Sequence, residues 1–227
     1  MSISRSSLWR STVLRELALS LAGIGLVGFI LMHLAGNLLI YAGPDAFNAY
    51  SKKLHDLGAL LWVARIGLIA IFTLHVVITA SLWWKNRYTR AQRYAVTVRR
   101  TRKTIATRTM IITGALIFVF ACIHLLDFTF ADKEGPKSLI DGASLGLYGV
   151  VWNGFANPLR AIAYVVFMCC VGFHLSHAIS SLCITLGAEN DRFVERADLA
   201  AKVIGALVAV AFSSIPLYVL VRSHLLG

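Results

Sequence analysis

The chain has 227 residues, 58% of them hydrophobic and 15% charged, with a mean hydropathy of +0.72. That balance excludes an ordinary water-soluble domain and a disordered chain. A net charge of +11 would admit a nucleic-acid partner, but the placement of the charge points to a membrane surface instead.

Five apolar stretches follow one another, at about 17–41, 59–84, 107–130, 159–186 and 198–221. Each is of the order of the ~20 residues that cross ~30 Å of hydrocarbon as a helix. The expected fold class is therefore an all-α membrane protein, a single five-helix transmembrane bundle over 1–227. Arg5, Arg10 and Arg15 precede the first stretch, which gives it the outline of a signal peptide. Its apolar run is too long for one and no small-residue cleavage site follows, so it reads as a mature span. Residues 23–28 spell G-I-G-L-V-G, formally a dinucleotide fingerprint. That motif needs a preceding strand and a βαβ context; inside an apolar helix, small residues allow close approach by another helix or by a flat ring.

The loop after the first span, AGPDAFNAYSKKLHDLG (42–58), is expected to hold a short helix capped by Asp45, and it carries His55 and Asp56. The second connection, 85–108, holds nine Lys/Arg and no acid. The third, 131–157, is the longest; its Gly, Asp and Pro content reads as a loop with a short surface helix. The fourth is short and polar. No soluble catalytic module interrupts this pattern, so chemistry on a water-soluble substrate falls to another subunit. Cys122, Cys169, Cys170 and Cys183 all lie in spans and form no haem-attachment or paired-cysteine motif.

Arg5, Arg10, Arg15, the basic loop 85–108, Arg192, Arg196 and Lys202 put 15 of the 22 basic residues on one side. The positive-inside rule makes that side cytoplasmic, with the N-terminus inside and the C-terminus outside. The charge then needs no nucleic acid to explain it.

His33, His75, His124 and His174 lie deep in the first four spans. Intramembrane histidine is costly and needs a partner, so each is a functional candidate. Successive spans run in opposite directions. His33 and His124 therefore share a layer some six to eight residues, or about 9–12 Å, from the outer surface. His75 and His174 share a layer toward the inner side. Two layers, each supplied by two helices, are the arrangement that two six-coordinate haems b require, each iron held by two imidazoles. The absence of a covalent attachment motif makes this protohaem IX held noncovalently. His177, three residues after His174, faces a similar direction, and either could be the ligand. Arg15, Lys85, Arg87, Arg108, Arg160, Trp83 and Trp84 lie at helix ends, where they anchor the interface or meet haem propionates.

The chain resembles the single-chain, five-helix, di-haem cytochrome b anchor (type B) of succinate dehydrogenases and fumarate reductases. The resemblance rests on H-L-A-G-N-L-L-I-Y-A-G-P-D-A-F-N at 33–48, the spacing from Asn48 to His75, I-H-L-L-D-F around His124, and F-H-L-S-H-A-I-S-S-L-C-I-T-L-G in the fourth span. It implies haem ligation by His75 and His174 nearer the cytoplasm and by His33 and His124 nearer the outside, with His174 rather than His177 as ligand. It implies a bacterial cytoplasmic membrane, a quinone (menaquinone or ubiquinone) near the outer haem beside His55 and Asp56, and two cytoplasmic partners: a flavoprotein carrying FAD and the dicarboxylate site, and an iron–sulfur protein. A higher oligomer of the complex fits the same resemblance. One departure stands out. Some fumarate-reducing members carry a glutamate two residues before the fourth-span ligand, thought to move protons; here that residue is Gly172. The other readings are a cytochrome b subunit of a formate dehydrogenase or hydrogenase, and a haem-free transporter or sensor.

Overall fold

The computed structural model describes residues 12–88, 105–185 and 190–225. The expected architecture is what the chain adopts: an all-α bundle with five helices long and apolar enough to cross a membrane. Helix α1 spans Thr12–Asn37 and runs into a 3-10 turn, Leu38–Ala42; α2 is Pro44–His55 and α3 is Ala59–Tyr88. Helix α4, Ile105–His124, continues as a π-helical turn over Leu125–Thr129. A 3-10 turn at Pro136–Ser138 and a two-residue hairpin, β1 (Leu139–Ile140) paired antiparallel with β2 (Ala143–Ser144), lead to α5, Gly146–Ala156. Helices α6 (Pro158–Thr185) and α7 (Asp191–Leu225) complete the chain. Long helices satisfy their backbone donors and acceptors internally except in the end turns, which hydrocarbon demands of a spanning segment.

Helices α1, α3, α4, α6 and α7 are the spans. Their outward faces carry Leu21, Leu60, Val63, Ile66, Ile69 and similar exposed apolar side chains, as a lipid-facing surface requires. The tightest contact is between α6 and α7, where Gly172 and Gly205 bring the two backbones together. A Cβ on Gly172 would meet the Gly205 carbonyl oxygen and lie 2.6 Å from Ala209 Cβ. About 30% of the apolar windows of α6 and α7 is buried (28% and 33%), against 6% in α1, α3 and α4. The His-bearing helices α1, α3 and α4 thus bury less of their apolar surface than the last pair.

One end of the bundle is capped. The segment expected to be a loop with a surface helix instead folds inward. Tyr148, Val150, Val151 and Phe155 of α5 are buried with Ile40, Phe47, Phe128, Tyr164, Ile215 and Val219 in a single apolar cluster. The correction has a plain cause: G-L-Y-G-V-V-W-N-G-F is apolar on every side, and such a helix has to be covered. Asn48 of α2 fastens the cap by donating to the Leu145 carbonyl (2.9 Å) and accepting from the Tyr148 amide (3.1 Å). Burial pushes the Tyr148 phenol above its ordinary range. The short helix α2 is present, but Asp45 does not cap it. Gly43, with φ of 91°, occupies that position and Pro44 opens the first turn. Asp45 sits in the first turn, where its charge meets the positive end of the helix.

Candidate functional site

The capped end brings His33 of α1 and His124 of α4 face to edge, with ring centroids 5.7 Å apart and planes at 87°. Both are half-buried. Phe29 stacks on His33, while Phe120, Phe128 and Tyr164 surround His124. Asn37, one turn after His33, donates to the His33 carbonyl at 2.7 Å and lies 3.3 Å from its Nε2. The Nδ1 of His124 is buried with no hydrogen-bond partner.

The second layer is formed by His75 of α3 and His174 of α6, which lie within electrostatic range of each other. His75 Nδ1 is likewise buried without a partner. His174 is held differently. Its Nδ1 is 2.9 Å from Thr113 Oγ1 on α4, and the Thr113 hydroxyl lies 3.2 Å and 3.1 Å from the carbonyls of Thr109 and Met110. A hydroxyl has one hydrogen; once it goes to a helix carbonyl, the oxygen accepts from His174 Nδ1–H. That leaves the Nε2 lone pair free, the tautomer a metal ligand needs. Gly114, next to Thr113, lies against the ring: a Cβ there would sit 3.5 Å from His174 Cε1, in ordinary van der Waals contact.

His174 and His177 do not share a setting. His174 meets α4. His177 packs against Phe173 and interacts with Asp198 and Lys202 of α7, where Asp198 accepts from Ser180 at 3.0 Å and pairs with Lys202 at 2.7 Å. A three-residue step on a helix turns ~300°, enough to direct the two rings to different neighbours.

His55 and Asp56 lie at the end of α2 and are exposed. His55 Nδ1 is 2.8 Å from the Ser51 carbonyl, and Asp56 pairs with Lys52 at 2.8 Å. Of the helix-end residues, Arg160 pairs with Asp127 at 3.4 Å, and at the end of α3 Trp84 meets Trp83 edge-on and Tyr88 at a tilt. Arg15 is half-buried in the first turns of α1. The side chains of Arg87 and Arg108, Arg5, Arg10 and most of the basic loop 85–108 lie outside the described residues. Of the glycines at 23–28, Gly25 meets Ile71 of α3 and Gly23 and Gly28 face open space.

Among the described residues no group of three or more His, Cys, Asp or Glu side chains gathers around a common point. A haem iron asks less of the protein, two axial groups on opposite sides. Two imidazole–metal bonds of about 2 Å put ring centroids about 6 Å apart, and the 5.7 Å between His33 and His124 is of that size. The buried, unpartnered nitrogens of His75 and His124 are both Nδ1, which leaves Nε2 of each ring as the atom that would meet an iron. Asn37 would release His33 Nε2 and keep its shorter bond to the carbonyl. The spacing of His33 and His124 therefore fits bis-imidazole haem at that level, and at the other level His174 has its Nε2 left free by Thr113.

Thr113, Tyr164 and Asn37 escaped the sequence reading. A threonine beside a glycine inside an apolar span was the available signal for Thr113, because hydroxyls in spans commonly bond across helices. No protein-family model, curated protein or solved structure matches the chain.

Proposed function

We propose that this membrane-embedded chain is the cytochrome b anchor of a succinate:quinone oxidoreductase. It would carry electrons between an iron–sulfur subunit at its basic, cytoplasmic end and a membrane quinone at its capped, outer end. The observation that carries the reading is the pairing of His33 with His124, with His75 and His174 in a second layer. When bound, haem supplies one-electron carriage at each level. The chain's own part is to hold and insulate. His33 and His124 would hold one iron and His75 and His174 the other. Thr113 fixes the His174 ring, and Phe120, Phe128 and Tyr164 keep water from His124.

The partners follow from the family resemblance: a flavoprotein with FAD and the dicarboxylate site, and an iron–sulfur protein, both on the cytoplasmic face. The outer end is assigned to quinone, menaquinone or ubiquinone. There His55 and Asp56, exposed at the end of α2, suit proton exchange with water better than enclosure of a ring. Continuous spans without mid-membrane breaks give a haem-free transporter no support among the described residues. The test is isolation of the complex from its native membrane. Co-purifying flavoprotein and iron–sulfur subunits with succinate–quinone activity uphold the reading; a molybdenum or nickel enzyme as partner moves the chain to the formate dehydrogenase or hydrogenase cytochromes.

A further inference from the structure

At the capped end, beside His124, a cleft of about 310 Å³ opens between α4 and α6. It falls at the small end of the ~300–1,000 Å³ usual for small-molecule sites. Ile123, Leu159, Ala163 and Phe167 line its apolar walls, and Asp127, Arg160, Tyr164 and Asn157 supply its polar groups. Leu159, 79% exposed, forms a rim at the lipid-facing surface.

The polar groups are built into place. Asp127 lies in the π-helical turn that follows His124, a local irregularity that often accompanies functional sites. Tyr164, itself buried, donates its hydroxyl to Asp127 Oδ2 at 2.9 Å. Arg160 reaches the other oxygen at 3.4 Å, a long contact, and its side chain is 39% exposed. A guanidinium carries five donors, so Arg160 keeps hydrogens for a guest. Asp127 keeps acceptor capacity. Tyr164 touches Phe120, Phe128 and His124, which ties the cleft to the outer imidazole pair.

We infer that this cleft holds the head group of the membrane quinone: Arg160 donates to a ring carbonyl of the oxidised form, and Asp127 accepts from a hydroxyl of the quinol. Tyr164 is a positioning residue that orients the Asp127 carboxylate. The apolar walls take the ring, and the lipid-facing rim lets the isoprenoid tail remain in the bilayer. An amphipathic guest that arrives through lipid, with a flat ring and hydrogen-bonding oxygens, matches this lining on every count; a water-soluble anion would meet Asp127 and apolar walls. The inference deepens the electron-transfer reading and rests on it for the identity of the guest.

The test uses the isolated complex and an azidoquinone with a short isoprenoid tail. Light-induced cross-links are expected on peptides containing Ile123, Leu159 or Phe167 and should be suppressed by excess unlabelled quinone. Arg160→Gln should raise the KM for quinone about tenfold, the size of one lost charged hydrogen bond. Succinate oxidation by a soluble dye, which bypasses the cleft, reports whether the complex is intact. Leu159→Trp, which narrows the cleft from its exposed rim without touching the ion pair, should raise the KM as well. Cross-links confined to 44–58, labelling that unlabelled quinone does not suppress, or an unchanged KM in both variants would overturn the assignment. The cross-linking works equally on a chain isolated without haem, so a failed electron-transfer reading and a failed cleft give different results.

Discussion

The Nδ1 of His174 on α6 lies 2.9 Å from the hydroxyl of Thr113 on α4, and the same hydroxyl is satisfied by its own helix. This bond selects one face of the imidazole for Thr113 and leaves the other for a metal. Partners of this kind typically change metal affinity by about 10–100-fold when removed. Thr113→Val should therefore lower occupancy of the inner haem or shift its midpoint potential, and Thr113→Ser should restore both. A spectroelectrochemical titration of the two variants checks this. Identical inner-haem titrations for all three proteins would count against the role of Thr113.

Exchange of the histidines should sort the haems by layer. His33→Ala or His124→Ala is expected to remove mainly one haem, and His75→Ala or His174→Ala mainly the other. His177→Ala should leave both irons six-coordinate, because that ring packs on Phe173 within electrostatic range of Asp198 and Lys202, while His174 is the one bonded to α4. Low-temperature spectra of the five variants resolve the two haems. Loss of the inner haem in His177→Ala with its retention in His174→Ala would reverse the assignment.

The helical architecture was legible in the sequence because apolar runs of this length leave few alternatives. The alternation of His33, His75, His124 and His174 gave the two layers for the same reason: span direction fixes depth. Two features were not legible. The segment 146–156 was expected at the surface, yet Tyr148 and Phe155 are buried, since sequence alone does not reveal that α2 and the ends of the spans form a cup over it. The separation of His174 from His177 depends on which neighbours α6 meets, and those are tertiary facts: Thr113 on one side, Asp198 on the other.

Gly172 has a packing role of its own. A side chain there would run into the Gly205 carbonyl and Ala209, so the α6–α7 contact leaves no space for a glutamate. Even Gly172→Ala should destabilise the bundle by about 1–3 kcal/mol, the usual cost of overpacking, seen as a lower thermal midpoint. On the proposed electron-transfer reading, with no acid at that depth among the described residues, turnover should be electrogenic. Each charge crossing the whole membrane exchanges ~2.3 kcal/mol per 100 mV. Succinate-driven quinone reduction should then draw on the membrane potential, and fumarate-driven quinol oxidation should generate one. A voltage-sensitive dye in sealed proteoliposomes reads this; no voltage change, with turnover indifferent to uncoupler, would reveal a compensating proton path.

Asp56 and His55 should matter for turnover and not for folding. The Lys52–Asp56 pair is exposed, and such pairs contribute about 0–1 kcal/mol. Asp56→Asn and His55→Ala are expected to keep both haems and lower the quinone-linked kcat, with the KM for quinone little changed. Steady-state kinetics at varied quinone concentration make the distinction. Normal kcat in both variants would remove the pair from the proton route.

The most direct test is the haem content of the purified chain, by pyridine haemochrome against protein from amino-acid analysis, with a reduced-minus-oxidised spectrum of the same sample. The pairing of His33 with His124 and of His75 with His174 predicts two protohaems per chain, both low-spin. One haem per chain, or none, would contradict it.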